Sequence, residues 1–199
     1  MMDEMVRAAL AKWPDVPDCY GWLSLDLRGQ WRFGSERQSV TNAAMKAFIG
    51  RNYGSDESGR WLFQNGPQRV FVALDYTPWI WHLLPAQQAG EYVLENHVGQ
   101  LAGQPVAIWL DDRGRFLIQA DDMVGALHDH DGQIMLDLLR AEDGRPVDID
   151  RFAEVLEQRT LTEQDITVRW SASLLLPLGA IQSGDVASRF QFNPQPKPD

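Results

Sequence analysis

The chain has 199 residues, 18 Lys plus Arg against 28 Asp plus Glu, and a formal net charge of -10. Its length suits one domain or two small ones, and a hydrophobic content of 44% with 10% aromatics excludes a disordered chain. The acidic balance argues against nucleic acid and against anionic membrane surfaces, since both need a basic face.

The opening Met1-Met2-Asp3-Glu4-Met5 carries two acids and no basic n-region, and no apolar h-region follows, so no secretory signal is expected. No stretch approaches the roughly 18 apolar residues of a membrane span. The longest apolar run, 174–178, is interrupted by Pro177. Cys19 is the sole cysteine, which rules out an intrachain disulfide and suits a thiol buried and inert. These features predict a soluble cytoplasmic protein.

Residues 3–12 lack Gly and Pro and predict a helix with acids at its front and Lys12 at its back. Trp13-Pro14 stops it, and a proline-punctuated loop follows to residue 19. From Tyr20 the pattern becomes short strand-like runs divided by a recurrent turn. D-L-R-G-Q-W-R-F spans Asp26 to Phe33, D-E-S-G-R-W-L-F spans Asp56 to Phe63, and D-D-R-G-R-F-L-I spans Asp111 to Ile118. D-H-D-G-Q-I-M-L, from Asp129 to Leu136, has the same spacing. Asp accepts N–H bonds from residues just ahead, and Gly supplies the positive φ that closes a turn with a bulge. All four segments therefore read as hairpin connections, with Gly29, Gly59, Gly114 and Gly132 at positive φ.

Between the first two turns, Ala44, Phe48, Ile49 and Tyr53 mark a helix that ends near Gly54, capped by Ser39 or Thr41. The tight turn Asn65-Gly66-Pro67 leads into V-F-V-A-L, a strand antiparallel to 60–64. Residues 85–104, rich in Gln, Gly and Ala, read as a linker. Beyond it come a hairpin of 106–111 with 115–119, a short helical turn at 121–128 and a strand at 133–139. Asp148 or Asp150 caps a helix through Arg159 with Phe152, Val155 and Leu156 inward. Alternation from Ile166 to Leu176 predicts one strand with a wet face. The fold expected is α+β, two related halves of antiparallel hairpins plus helices, 1–98 and 99–192, with 193–199 a disordered tail.

The first half resembles a family of uncharacterised bacterial proteins, a domain of unknown function. The resemblance rests on C-Y-G-W-L-S-L-D-L-R-G-Q-W (Cys19 to Trp31), the helix near Phe48, G-R-W-L-F-Q-N-G-P-Q-R-V-F-V (Gly59 to Val72) and the corner Asp75-Tyr76-Thr77-Pro78-Trp79. It also looks like a second uncharacterised family built from repeated α+β motifs, which implies a role in ligand sensing or signal transduction. Where that family carries a Thr-Pro-Val-Glu loop, this chain has Asn65-Gly66-Pro67-Gln68, without the acid.

Signatures of chemistry are sparse. There is no G-x-S-x-G elbow, no G-x-G-x-x-G after a strand and no P-loop. His128-Asp129-His130-Asp131-Gly132 offers competent metal ligands but fails as a calcium loop, because Leu127 and Leu138 occupy positions that need acids. A His128/His130 zinc pair has no third ligand near it in sequence, so no metal and no cofactor are expected. A small-molecule site is placed where Asn65-Gly66-Pro67, Arg69 and the Trp79-Ile80-Trp81-His82 string meet. Arg69 would hold a carboxylate or phosphate, Trp79 and Trp81 would stack, His82 would form a polar edge, and Tyr53 would close the wall. The alternative is that both Trp are core and Arg69 pairs with a surface acid. No catalytic residue is assigned. The function expected is a non-catalytic ligand-binding or regulatory protein with a small-molecule or protein partner and no nucleic acid or membrane. The alternatives are a protein–protein adaptor and an enzyme of unrecognised type.

Overall fold

The recurrent turn sets the frame. In the computed structural model, which describes residues 2–13, 15–148, 152 and 166–198, Asp26 Oδ1 accepts the N–H of Arg28 and of Gln30 at 2.9 Å each. Asp56 does the same for Ser58 and Arg60, and Asp111 for Arg113 and Arg115. Gly29, Gly59 and Gly114 follow at φ 71, 70 and 75, as the spacing requires. The second carboxylate oxygen binds a guanidinium, that of Arg32, Arg60 or Arg115. Asn96 opens a further copy that the sequence reading passed over, accepting from Val98 and Gln100.

The fold is α+β, and the chain divides into two compact units, Met1–Pro78 with Ala187–Asp199, and Trp79–Val186. The division falls at Pro78/Trp79 rather than after residue 98. The expected linker contains a strand paired into the second unit, which is why no boundary lies there. The expected disordered tail belongs to the first unit, where the Asn193 N–H donates to the Gly59 carbonyl and the Pro194 carbonyl accepts from the Leu74 N–H.

Unit 1 begins with helix α1 (Glu4–Lys12) and strands β1 (Cys19–Leu25), β2 (Trp31–Phe33) and β3 (Gln38–Ser39). Helix α2 (Ala43–Arg51) follows, capped by Asn42 rather than Ser39 or Thr41, its side chain accepting from the Met45 N–H. Strands β4 (Tyr53–Ser55), β5 (Trp61–Asn65) and β6 (Gln68–Leu74) complete the sheet, ordered β3-β2-β1-β6-β5-β4. Two antiparallel meanders thus join through β1 and β6, which run parallel. Leu25, Phe71, Val72 and Leu74 fill the interior.

Unit 2 opens with the hairpin β7 (Trp79–Pro85) and β8 (Tyr92–Asn96). The meander β9 (Pro105–Asp111), β10 (Phe116–Ala120) and β11 (Met123–Leu127) comes next. A 3-10 turn (Asp129–Asp131) runs into helix α3 (Gly132–Leu138). Strands β12 (Leu139–Ala141), β13 (Ile166–Arg169) and β14 (Leu175–Ile181) complete the order β12-β13-β14-β9-β10-β11-β7-β8, in which β14 is parallel to β9 and β7 to β11. A short helix, Val186–Arg189, ends the described secondary structure.

Three local expectations are corrected here. The fourth D-x-x-G segment is a helix start, not a hairpin, with Gly132 at φ -56. His128, not Asp129, caps it, because its ring nitrogen accepts the His130 N–H. Residues 123–127 are strand and 132–138 helix, the reverse of the expectation, since β11 sits between two strands and buries even its small residues. The single strand expected over 166–176 is a hairpin, turned where the Trp170 N–H meets the Leu174 carbonyl at 3.0 Å. The helix expected from 148 through 159 lies outside the described residues, except for Asp148 and Phe152. Phe152 is buried and its ring is stacked with Phe116.

Candidate functional site

The parallel ladder of β7 and β11 pairs Gly125 with Trp79, Ala126 with Ile80 and Leu127 with Trp81. One step further, the His128 N–H donates to the Trp81 carbonyl at 2.8 Å, so His128 comes beside His82. Their ring centroids lie 4.5 Å apart with planes tilted by 32°. The 3-10 turn then swings Asp131 back, placing its Oδ2 3.1 Å from His82 Nδ1 and 3.4 Å from the Leu83 N–H. One ligand-competent atom from each of His82, His128 and Asp131 lies within 4.8 Å of the others.

The environment differs along the cluster. His128 is buried and His82 half-buried. Burial, and then the facing His82, hold the His128 pKa below its ordinary value, although Asp129 and Asp131 pull the other way. The shift favours the neutral ring, which retains a lone pair. His128 Nδ1 has two neighbours of opposite kind, the His130 N–H at 3.2 Å and Asp129 Oδ1 at 3.1 Å. A lone pair on Nδ1 accepts from the first, whereas a proton there donates to the second and leaves the His130 N–H without that acceptor. A second trio, His128, Asp129 and His130, shares the buried histidine. Such a set can hold a proton between imidazole and carboxylate, or a cation.

The six residues expected at the small-molecule site fall three in each unit, and each has partners within its own. In unit 1, Tyr53 donates to the Pro78 carbonyl at 3.0 Å and packs edge-on against Trp31. Burial drives its hydroxyl pKa well upward. Asn65 is exposed, opposite Gln68 across the Gly66-Pro67 turn. Arg69 forks onto Asp18 with two bonds of 2.7 Å. In unit 2, Trp79 and Trp81 are buried core, and the Trp81 indole N–H donates to the Ile118 carbonyl at 2.9 Å. These positions match the alternative stated for Arg69 and the two Trp. His82 is the member that the structure places in a cluster of titratable groups. Cys19 is half-buried, and burial raises its pKa, so the thiol stays protonated.

His128 and Asp131 were weighed as metal ligands and set aside, because the partner that completes the cluster is distant in sequence. The structure sets Asp129 with the His128/His130 pair and, through the parallel β7–β11 pairing, brings His82 to His128 and Asp131, so the expectation that no third ligand lies nearby is corrected. Sequence spacing does not carry that signal; the H-D-H-D string is the trace that singles the segment out.

The chain matches, over residues 2–197, the family DUF2944, whose description reads "Protein of unknown function (DUF2946)". This chain belongs to that family. The resemblance to an uncharacterised domain family, read from Cys19 to Trp79, thus holds across nearly the whole chain. Among curated proteins, none matches. Among solved structures, a DUF1285 family protein from Silicibacter pomeroyi DSS-3 is similar at 16% identity and a TM-score of 0.53, covering 91% of this chain and 97% of that one. It shows a shared fold. A DUF1285 family protein from Shewanella baltica OS155 aligns at 13% identity and a TM-score of 0.42, over 56% of this chain and 87% of that one. Among the described residues, no helix is long and apolar enough to cross a membrane.

Proposed function

We propose that this chain is a non-catalytic ligand-binding or regulatory protein of the cytoplasm, acting in a signal-transduction-like role, and that its binding locus is the His82–His128–Asp131 cluster. One observation carries the reading: in a unit whose core is Trp81, Leu83, Leu94, Ile118 and similar side chains, two imidazoles and a carboxylate converge. Polar groups gathered at such a place serve recognition more readily than packing. Its topology supports the same view. Among the described residues, both units contain a run of three strands, a helix and three strands, with the first strand of the run parallel to the last, β1 with β6 and β9 with β14. We infer that they are two related halves built on one motif. The β7–β8 hairpin is the addition that unit 2 makes to that motif, and it carries His82. Additions to a repeated scaffold are where a specialised role accumulates.

A thermal-shift screen of the full chain against amino acids, nucleotides and organic acids tests the reading, because a ligand bound by the native state alone raises the midpoint. The expected outcome is a concentration-dependent rise that His82→Ala abolishes. A rise unaffected by His82→Ala moves the locus elsewhere.

The second reading, a protein–protein adaptor, draws on Trp22 and Phe33, exposed at 55% and 52% with rings 5.8 Å apart on β1 and β2. It is favoured if no compound shifts the midpoint and the protein shows concentration-dependent association that Trp22→Ser removes.

A further inference from the structure

We propose that His82, His128 and Asp131 bind a divalent transition-metal ion of the Zn²⁺ class. The inference rests on the reading of this cluster as the binding locus and names its ligand. Imidazole nitrogen and carboxylate oxygen suit such an ion, whereas Mg²⁺ and Ca²⁺ prefer oxygen alone. Metal–ligand bonds of about 2.0–2.2 Å set ligand atoms on a tetrahedral ion roughly 3.3–3.5 Å apart. His82 Nδ1 and Asp131 Oδ2, at 3.1 Å, are already near that spacing. The three ligand atoms lie within 4.8 Å of one another.

The frame around them is fixed by backbone. His128 is tied to β7 by its N–H on the Trp81 carbonyl, and Asp131 is held by the Leu83 N–H. Asp129 Oδ1, 3.1 Å from His128 Nδ1, supplies the carboxylate that commonly orients a metal-bound imidazole through its other nitrogen. Binding through Nε2 moves the His128 proton to Nδ1, toward Asp129, and exchanges the His130 N–H cap for that carboxylate contact. His82 binds through Nδ1, its ring proton then lying on Nε2. The charge balance selects the sign of the guest. Two imidazoles beside the carboxylates of Asp129 and Asp131 favour a cation over an anion. The two rings stand 4.5 Å apart, and the cap on the His130 N–H engages only one nitrogen of His128. Three protein ligands leave a position for water or a small molecule, reached past His82, whose side chain is 34% exposed.

The test is titration of the tag-free, chelator-stripped full chain with Co²⁺, followed by its visible absorption and by competition with Zn²⁺. One saturable equivalent that Zn²⁺ displaces is expected. His82→Ala and Asp131→Asn should each weaken binding at least tenfold, and His130→Ala should leave it intact. Thermal midpoints of the stripped variants, matched to wild type, separate loss of ligand from loss of fold. No saturable Co²⁺ binding, or equal affinity in the His82 and Asp131 variants, overturns the proposal. Loss on His130→Ala with retention in His82→Ala also overturns it, by assigning the ion to His128, Asp129 and His130. Histidine ring NMR on the same sample, with the thermal-shift panel added, separates the two readings. Signals of His82 and His128 that respond to an organic compound but not to Co²⁺ end the metal inference and keep the binding locus, whereas rings silent to both end both.

Discussion

His82 Nδ1 and Asp131 Oδ2 lie 3.1 Å apart although 49 positions separate them. The contact depends on how closely β7 and β11 approach, and Gly125 sets that distance. A Cβ at residue 125 would fall 2.7 Å from the Trp79 carbonyl oxygen and 2.7 Å from Trp81 Nε1. Neither atom yields easily, since one is backbone and the other is hydrogen-bonded to the Ile118 carbonyl in the core. Gly125→Ala should therefore lower stability by about 1–3 kcal/mol. It should also shift the His82 and His128 ring signals, because the two strands must part. A urea midpoint and ring spectrum equal to wild type would contradict this account of the site.

The glycines of the four D-x-x-G segments separate in a way their common spacing hides. Gly114, at φ 75 with open space around it, should cost about 1 kcal/mol when replaced by Ala, the ordinary penalty of a left-handed residue with a Cβ. Gly59, at φ 70, carries a second constraint, because its Cβ would overlap the Gln191 carbonyl oxygen. Gly59→Ala should cost more than Gly114→Ala and should loosen the residues after 190. Gly132 is helical at φ -56 with nothing within 4 Å of its Cβ, so Gly132→Ala should stabilise by roughly 0.5–1 kcal/mol. Urea denaturation of the three variants checks the order, and a destabilised Gly132→Ala would return that segment to the hairpin class.

The legible part of the fold was its local chemistry. Asp26, Asp56 and Asp111 announced their turns because acceptor, glycine and strand lie within a few residues of one another. Asp129 had the same letters and a different outcome. Ile134, Met135 and Leu138 follow it at helical spacing, and His128 takes over the cap, so the tertiary context of β11 and α3 decides between two locally permitted structures. Asn96 was missed because an amide stands where the pattern shows an acid, although its oxygen makes the same two bonds. The site was legible only in part. His82, His128 and Asp131 are all unusual letters in sequence, but the relation between them is a parallel pairing across three intervening strands. Parallel register leaves no mark at short range, since neither strand is joined to the other by a turn.

The turn carboxylates make acid stability predictable. Burial alone would raise the Asp26 pKa, but the Gln30 N–H, the Arg32 guanidinium and the Arg28 N–H together hold it below the ordinary carboxylate value. Asp56 is lowered likewise, burial being outweighed by Arg60 and the Ser58 N–H. A depressed folded-state pKa means that the unfolded chain binds protons first as pH falls. The contribution of these groups is thus complete above the unfolded value of about 3.9 and is lost as pH drops through the lower folded value. Asp26→Asn and Asp56→Asn should lower the urea midpoint at pH 7, and the gap to wild type should narrow below about pH 4. A gap that is constant across pH would mean that the ionised form contributes nothing.

Asn96 provides the last test, since it is 1% exposed and organises a turn with no arginine at its end. Its Oδ1 accepts from Val98 at 3.2 Å and Gln100 at 3.0 Å, and its Nδ2 donates to Gln100 Oε1 at 3.1 Å. Asn96→Ala leaves two N–H groups without their acceptor and should cost about 1–3 kcal/mol. Asn96→Asp restores the acceptor but buries a charge, which the turns at Asp56 and Asp111 balance with an arginine four residues on. The double variant Asn96→Asp with Gln100→Arg reproduces that pairing. It should be more stable than Asn96→Asp alone, and a double-mutant cycle measured by urea denaturation should give a favourable coupling between the two positions. Zero coupling would show that the guanidinium in the natural turns is a surface ornament of the carboxylate rather than the counter-charge that lets it be buried.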